Sequence, residues 1–271
     1  MNLAIESKKI KSLITEFFYD MPKESSINTT LYTLRLVRSP DDTMKEIFDS
    51  LKANKLVLAG GAITSLFSAA RVNDLDFYME DLSKKDAAVA FLSKFFKEPP
   101  YISENCITFK RKSSKSRKAW TVQLITRFSG SPEELFDNFD FTITTGAYQF
   151  SKDRFQFGDR FFTDIASRRL TYLGRSKYPI CALFRTKKYQ ERGYKLPGST
   201  VMHISLSIVR LEITTYKELK QQLLGIDTIY LQDLLNNEKY DEALPVDYGT
   251  FIADAFEHLN IYQQENEDDQ F

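Results

Sequence analysis

Residues Leu56 to Tyr78 read LVLAGGAITSLFSAARVNDLDFY, an apolar run into a Gly-Gly turn, a short helical stretch, and a second apolar run carrying two aspartates. Lys55 to Ala59 has the length and branching of a buried strand. It stops at Gly60-Gly61, where backbone without side chains turns tightly and approaches a ligand closely. Ala62 to Ala70 then reads as a helix, so the turn is a candidate phosphate cradle to which Ser65 adds a hydroxyl. Alone, a Gly-Gly pair equally suits a plain strand-to-helix connection. In Asn73-Asp74-Leu75-Asp76-Phe77-Tyr78 the period of two puts Asp74 and Asp76 on one face of a strand and Leu75 and Phe77 on the other. Two adjacent carboxylates repel, and a divalent cation between them relieves the repulsion; an all-oxygen donor set suits Mg2+ or Mn2+. An isolated Asp-x-Asp also fits a loop end and a solvent-facing residue. The nearby Gly-Gly turn favours the metal and polyphosphate reading, in which the cation neutralises a leaving pyrophosphate.

Gly60-Gly61-Ala62-Ile63-Thr64-Ser65 followed by Asp74-Leu75-Asp76 resembles the signature of the polymerase-β-like nucleotidyltransferase superfamily. A second stretch, Asp137-Asn138-Phe139-Asp140-Phe141-Thr142-Ile143-Thr144-Thr145-Gly146-Ala147-Tyr148, is similar to the Arg-Arg-Asp-Phe-Thr-Ile-Asn-Ala-Leu-Ala-Tyr motif in the head domain of tRNA nucleotidyltransferases and bacterial poly(A) polymerases. The ordered resemblance covers about residues 50–175, and nucleotidyltransferase-like proteins of bacteriophages share its Gly-Gly and Asn-Asp-x-Asp blocks. It implies an α+β fold with a small mixed nucleotidyltransferase sheet flanked by helices, followed by a helical C-terminal region. It further implies an enzyme that moves a nucleoside monophosphate from an NTP to an RNA, nucleotide or protein acceptor. Asp74 and Asp76 are then the metal-holding catalytic acids, and Asp140 matches the family aspartate that contacts the nucleotide.

Departures from the family pattern are equally specific. Thr64-Ser65 stands where the tRNA enzymes carry Arg-Asp, Asn138-Phe139 replaces Arg-Arg, and Thr144 replaces the ribose-contacting Asn, so a choice between CTP and ATP is not inherited. The third acid of the superfamily belongs on a strand beside the first two. The strand expected there, Ala119 to Arg127, holds Gln123 in that place. Two further readings therefore stand beside the enzyme: a degenerate nucleotide-binding module, and a structural phage protein on the same scaffold.

The remaining chain supplies the frame. Helical spacing marks Ile10 to Phe18, about 41–53, Lys84 to Lys97, Ile180 to Tyr194, Ser199 to Val209, Thr215 to Leu224, Thr228 to Leu235 and Tyr248 to Leu259. Alternation marks strands at Thr30 to Leu36, Cys106 to Lys110 and Ala119 to Arg127, and Asp140 opens a Phe-Thr-Ile strand. The expected division is a lead-in at 1–40, the head domain at 41–177, a helical domain at 178–261 and a disordered acidic tail at 262–271. Along Ile180 to Tyr194, Arg185, Lys188 and Arg192 form a stripe, matching a helix that holds the nucleotide in the tRNA enzymes; a solvated helix face explains it too. Arg127, Arg185 and Lys188 are thus nucleotide-binding candidates.

Lys110 to Lys118 carries six cations and no acid, which suits an RNA backbone or a solvated hairpin tip. With 37 basic and 37 acidic side chains the chain as a whole has no net attraction for polyanions. Cys106 and Cys181 are too few for a disulfide framework, and His203 and His258 read as ordinary packing or surface residues. The absence of a charged-then-apolar leader and of any long apolar run gives the expectation of a cytoplasmic protein that meets no membrane.

Overall fold

The computed structural model describes residues 8–15, 40–72, 74–111, 120–223, 237–241, 245–255 and 257. The strand expected at 30–36, the helix expected at 228–235, the acidic tail and residues 112–118 of the basic cluster lie outside them. The chain divides into two compact units, Met1–Ser167 and Arg168–Phe271.

The first unit is built on one seven-stranded mixed sheet: β1 (Leu56–Ala59), β2 (Asp74–Met79), β3 (Tyr101–Ile102), β4 (Cys106–Arg111), β5 (Trp120–Ser129), β6 (Gly146–Gln149) and β7 (Arg154–Phe157), in spatial order β3-β4-β5-β2-β1-β6-β7. All pairings are antiparallel except β2 with β5, which run parallel. Period-two alternation gives this sheet two unlike faces. The apolar face carries Leu56, Leu58, Leu75, Phe77, Met79, Phe109, Val122, Leu124 and Tyr148, all with no exposed surface. Three helices pack against it. In α1 (Pro40–Ala53) the Phe48 ring meets Phe150, which also meets Phe77. The ring of Phe67, at the end of α2 (Gly61–Phe67), packs edge-on against Phe155, Phe157, Phe161 and Phe162. Beyond α3 (Lys85–Ser93), Phe96 packs against Phe109.

Two elements depart from expectation. α3 ends at Ser93 rather than 97. The Phe-Thr-Ile segment is no strand; Thr142–Thr144 forms a 3-10 turn, and the strand begins only at Gly146. There the Thr144 hydroxyl donates to the Phe141 carbonyl (2.8 Å) and the Thr145 hydroxyl to the Thr142 carbonyl (2.6 Å). Hydroxyls bonding three residues back tighten the chain into a turn despite its β-branched composition.

The other face of the sheet is crossed by α4 (Pro132–Phe136), started by a Ser131/Glu134 capping box. Behind α4, the ring of Phe139 touches Tyr78. The unit closes with α5 (Phe161–Ala166).

The second unit has its own core of Ile180, Phe184, Ile213, Tyr216, Leu219, Leu223, Tyr240, Phe251 and Ala255. Its helices include α6 (Pro179–Glu191), opened by proline in the first turn, α7 (Gly198–Val209), and α8 (Tyr216–Gln222), opened by a Thr215/Glu218 capping box. No helix among the described residues is long and apolar enough to cross a membrane.

Candidate nucleotide and metal site

Asp74 and Asp76 are both half-buried on the polar face of β2, while Leu75, Phe77 and Met79 between and beyond them fill the opposite face. The alternation in the sequence thus becomes a pair of carboxylates aimed the same way. Across the parallel pairing, Asp74 faces Thr121 and Asp76 faces Gln123. The strand expected to lie beside the aspartates is therefore their neighbour, and the amide of Gln123 sits where a third acid would stand. On the antiparallel side the register runs Leu56↔Met79, Val57↔Tyr78, Leu58↔Phe77. Continued by one position, it sets Ala59 against Asp76, so Gly60 follows one residue from the carboxylate pair, across a strand spacing of about 5 Å.

Gly60 adopts φ +77°, ψ −133°, a left-handed backbone that side chains disfavour, and a Cβ at Gly60 or Gly61 would meet nothing within 4 Å. The turn therefore opens onto free space beside the aspartates, as a ligand-approach segment requires. From below it is held by the second motif. The Gly60 amide donates to the Gly146 carbonyl (3.1 Å), and the buried Thr64 hydroxyl lies 2.7 Å from the Ile143 carbonyl and 3.0 Å from that of Gly60. Gly146 is required here, since a Cβ would come within 2.7 Å of both Ile63 and Phe161. The two sequence blocks, some eighty residues apart, are thus locked to one another.

The other expected residues distribute as follows. Asp140 is buried, 4% exposed, directly after the Phe139 that touches Tyr78 on the carboxylate face. Ser65 is also buried, at 3% exposure, within α2 rather than on its open rim. Arg127 lies on β5 within the irregular stretch where the β2–β5 register shifts, between Leu124 and Ser129, and its guanidinium lies over the ring of Phe128. Arg185 and Lys188 belong to α6 of the second unit, half-buried and exposed respectively.

Sequence reasoning passed over one buried acid. Asp164 has no exposed surface and accepts from the Thr142 hydroxyl at 2.6 Å and from Arg160 at 3.0 Å. This hydrogen-bonded pairing raises the Arg160 guanidinium above its ordinary value, hydrogen bonding first and charge second. Asp164 anchors the Thr142 turn that follows Asp140. Its only sequence signal was the i,i+4 spacing of Arg160 and Asp164.

Two neighbouring carboxylates with oxygen donors fit Mg2+ or Mn2+ as a partial ligand set, the remaining positions falling to water and substrate phosphates. Among the described residues no group of three His, Cys, Asp or Glu side chains is placed to hold an ion.

A mixed sheet whose central strand presents Asp-x-Asp beside a Gly-Gly turn defines the structural class. The model of the Gabija anti-defense 2 family protein matches residues 10–168, and the chain belongs to that family. "Gabija anti-defense 2" of Bacillus phage SPbetaL7 is 31% identical over 199 residues, 73% of this chain and 48% of that protein. The chain thus spans about half the length of this curated relative. Among solved structures it is similar to the Thermotoga maritima CCA-adding enzyme complexed with tRNA (15% identity, 70% of this chain and 48% of that one, TM-score 0.44). A tRNA-processing enzyme in its apo form is likewise similar (16% identity, 82% and 56%, TM-score 0.47).

Proposed function

We propose that this chain is a metal-dependent nucleotidyltransferase, and that the transfer serves the anti-defense role for which its phage relative is named. The observation that carries the reading is the pairing of Asp74 and Asp76 on one face of β2 with the open Gly60-Gly61 turn at the end of the adjoining strand. Gly60 and Gly61 let the NTP phosphates approach the backbone, and Asp140 positions the nucleotide. Asp74 and Asp76 hold Mg2+ or Mn2+, which supplies charge neutralisation at the leaving pyrophosphate. An acceptor hydroxyl forms the new bond to the α-phosphorus, the bond from that phosphorus to the bridging oxygen breaks, and pyrophosphate departs while the hydroxyl proton passes to solvent. The acceptor is an RNA end, a nucleotide or a protein side chain.

A second reading, a nucleotide-binding module without turnover, is favoured by one specific observation: Gln123, not an acid, faces Asp76. The two separate cleanly. Incubation with each α-phosphate-labelled NTP, Mg2+ or Mn2+ and a host extract yields a labelled acceptor with the native chain and none with Asp74→Ala/Asp76→Ala. If no NTP labels anything but NTPs raise the melting temperature of the native chain, the binding module stands and transfer is refuted. If NTPs neither label nor stabilise, the scaffold reading replaces both.

A further inference from the structure

Residues 168–209 hold nine of the chain's 37 Lys and Arg side chains and one of its 37 acids, Glu191. All of these residues belong to the second unit, and the one acid is already engaged, 3.9 Å from Lys187 on the same helix. In a chain of zero formal charge this is a pronounced local excess of cations.

The backbone gathers six of them. Lys188 occupies the last turn of α6 with Lys187 just before it, and Arg192 follows at its end. Lys195 is then drawn beside residues 168–170 by a parallel bridge, its amide donating to the Arg168 carbonyl at 2.6 Å and its carbonyl accepting from the Leu170 amide at 2.9 Å. Arg169 and Lys195 are direct partners in that bridge, and both are exposed. Arg168 and Arg192 lie over the edge-packed rings of Tyr194 and Tyr189, at 5.3 and 6.0 Å.

The negative end of the helix dipole accounts for Lys187, Lys188 and Arg192 at the end of α6. It does not account for Arg169 beside Lys195, since like charges directly opposite each other destabilise a pairing. Arg168, with a left-handed φ of +49°, is the residue that ends α5 and turns the chain toward Lys195. Two cations that the backbone pairing sets side by side are explained by an anion spanning them. The ridge extends over two chain segments and a helix end, which matches a run of successive phosphates better than one small anion.

We propose that this ridge, Arg168, Arg169, Lys187, Lys188, Arg192 and Lys195, binds the phosphate backbone of a single-stranded nucleic acid. It does not rest on the transfer reading, because Arg169 and Lys195, the pair that carries it, have no part in that reading; Lys188 and Arg192 are shared with the nucleotide-binding stripe on α6.

The test is fluorescence anisotropy of fluorescein-labelled poly(U) and poly(dT) with the full chain, from about 50 to 200 mM NaCl. Arg169→Gln/Lys195→Gln weakens binding and flattens the slope of log affinity against log salt by about 1.4, the loss of two phosphate contacts. Circular dichroism establishes that the variant is folded, and Lys188→Gln, an exposed change, repeats the effect at about half the size, 0.7. Asp74→Asn/Asp76→Asn binds with the native slope, so failure of transfer leaves this inference standing. RNA and DNA bound alike would mark backbone recognition, and RNA preferred would mark the strand class taken. The proposal is overturned if neither strand binds, if the slope is unchanged in the double variant, or if polyglutamate competes as well as poly(U), which would make the partner an acidic protein.

Discussion

The two faces of β2 are made of the same six residues and follow different rules. Leu75, Phe77 and Met79 are fully enclosed by neighbouring strands and helices, whereas Asp74, Asp76 and Tyr78 stay half-buried on a face that α4 covers in part. One face is what hydrophobic burial demands. On the other, two carboxylates stand two residues apart in a central strand, an arrangement burial alone disfavours. Stability and chemistry are thus assigned to alternate residues of one strand, and substitutions on the two faces separate them.

The largest effect belongs to the polar face. Asp76→Asn keeps the shape and hydrogen-bonding capacity of the side chain but removes the charge, so labelling of acceptor drops to background, as it does for Asp74→Asn. The melting temperature without metal holds or rises, since repulsion between the pair is relieved. A fall in melting temperature comparable to that of a core substitution would erase the contrast, because Asp76 would then be a structural residue.

The apolar face supplies the reciprocal result. Phe77→Ala deletes an enclosed ring that packs against Phe150, which in turn meets Phe48 of α1, and costs about 3–5 kcal/mol. The denaturation midpoint shifts accordingly. NTP binding measured well below that midpoint is largely kept. Loss of binding in protein that is still folded would show that the two faces are not independent.

This division was legible in the sequence because a period of two is a local signal. The alternation of Asp74 to Tyr78 fixed which residues share a face, and the expected strand around Gln123 is the one that pairs with Asp76. What was not legible is long-range or hydroxyl-driven. Thr142-Ile143-Thr144-Thr145 has strand composition, yet its hydroxyls fold it into a turn. The Thr64–Ile143 contact joins residues 79 positions apart, and no local pattern encodes it.

Thr64 therefore sharpens the comparison from beneath the site. Thr64→Val preserves volume but leaves the buried Ile143 carbonyl without its 2.7 Å donor, at a cost of about 1–3 kcal/mol. Thr64→Ser restores the donor and most of the stability. Because this bond ties α2 to the second motif, Thr64→Val also weakens NTP binding beyond what its stability loss explains. Titration by isothermal calorimetry at a temperature where the variant is fully folded reads that excess. An unchanged affinity would mean that the Gly60-Gly61 turn keeps its shape without the latch.

The smallest effect lies on the apolar face, where a titratable group is enclosed. Tyr148 has no exposed surface, and its hydroxyl is bonded to Asp153. Burial first, and then the hydrogen bond and charge of Asp153, push its phenol well above the ordinary value of 10.0. The folded-state pKa is raised, so the neutral phenol contributes stability that is fully present below pH 10. That contribution is lost as pH climbs above it, because the unfolded chain ionises first. Tyr148→Phe gives up the hydrogen bond, about 0.5–1.5 kcal/mol near neutrality, but has no phenol to ionise. The gap in melting temperature between the native chain and Tyr148→Phe should consequently hold up to about pH 9, narrow through pH 10 and close above it. Tyr240 and Tyr248 of the second unit are also raised, chiefly by burial, and contribute an alkaline fall common to both proteins, which the difference between them cancels. A gap that stays constant across this range would place the Tyr148 ring in contact with water, and with it would go the claim that one face of the sheet is sealed while the other is open.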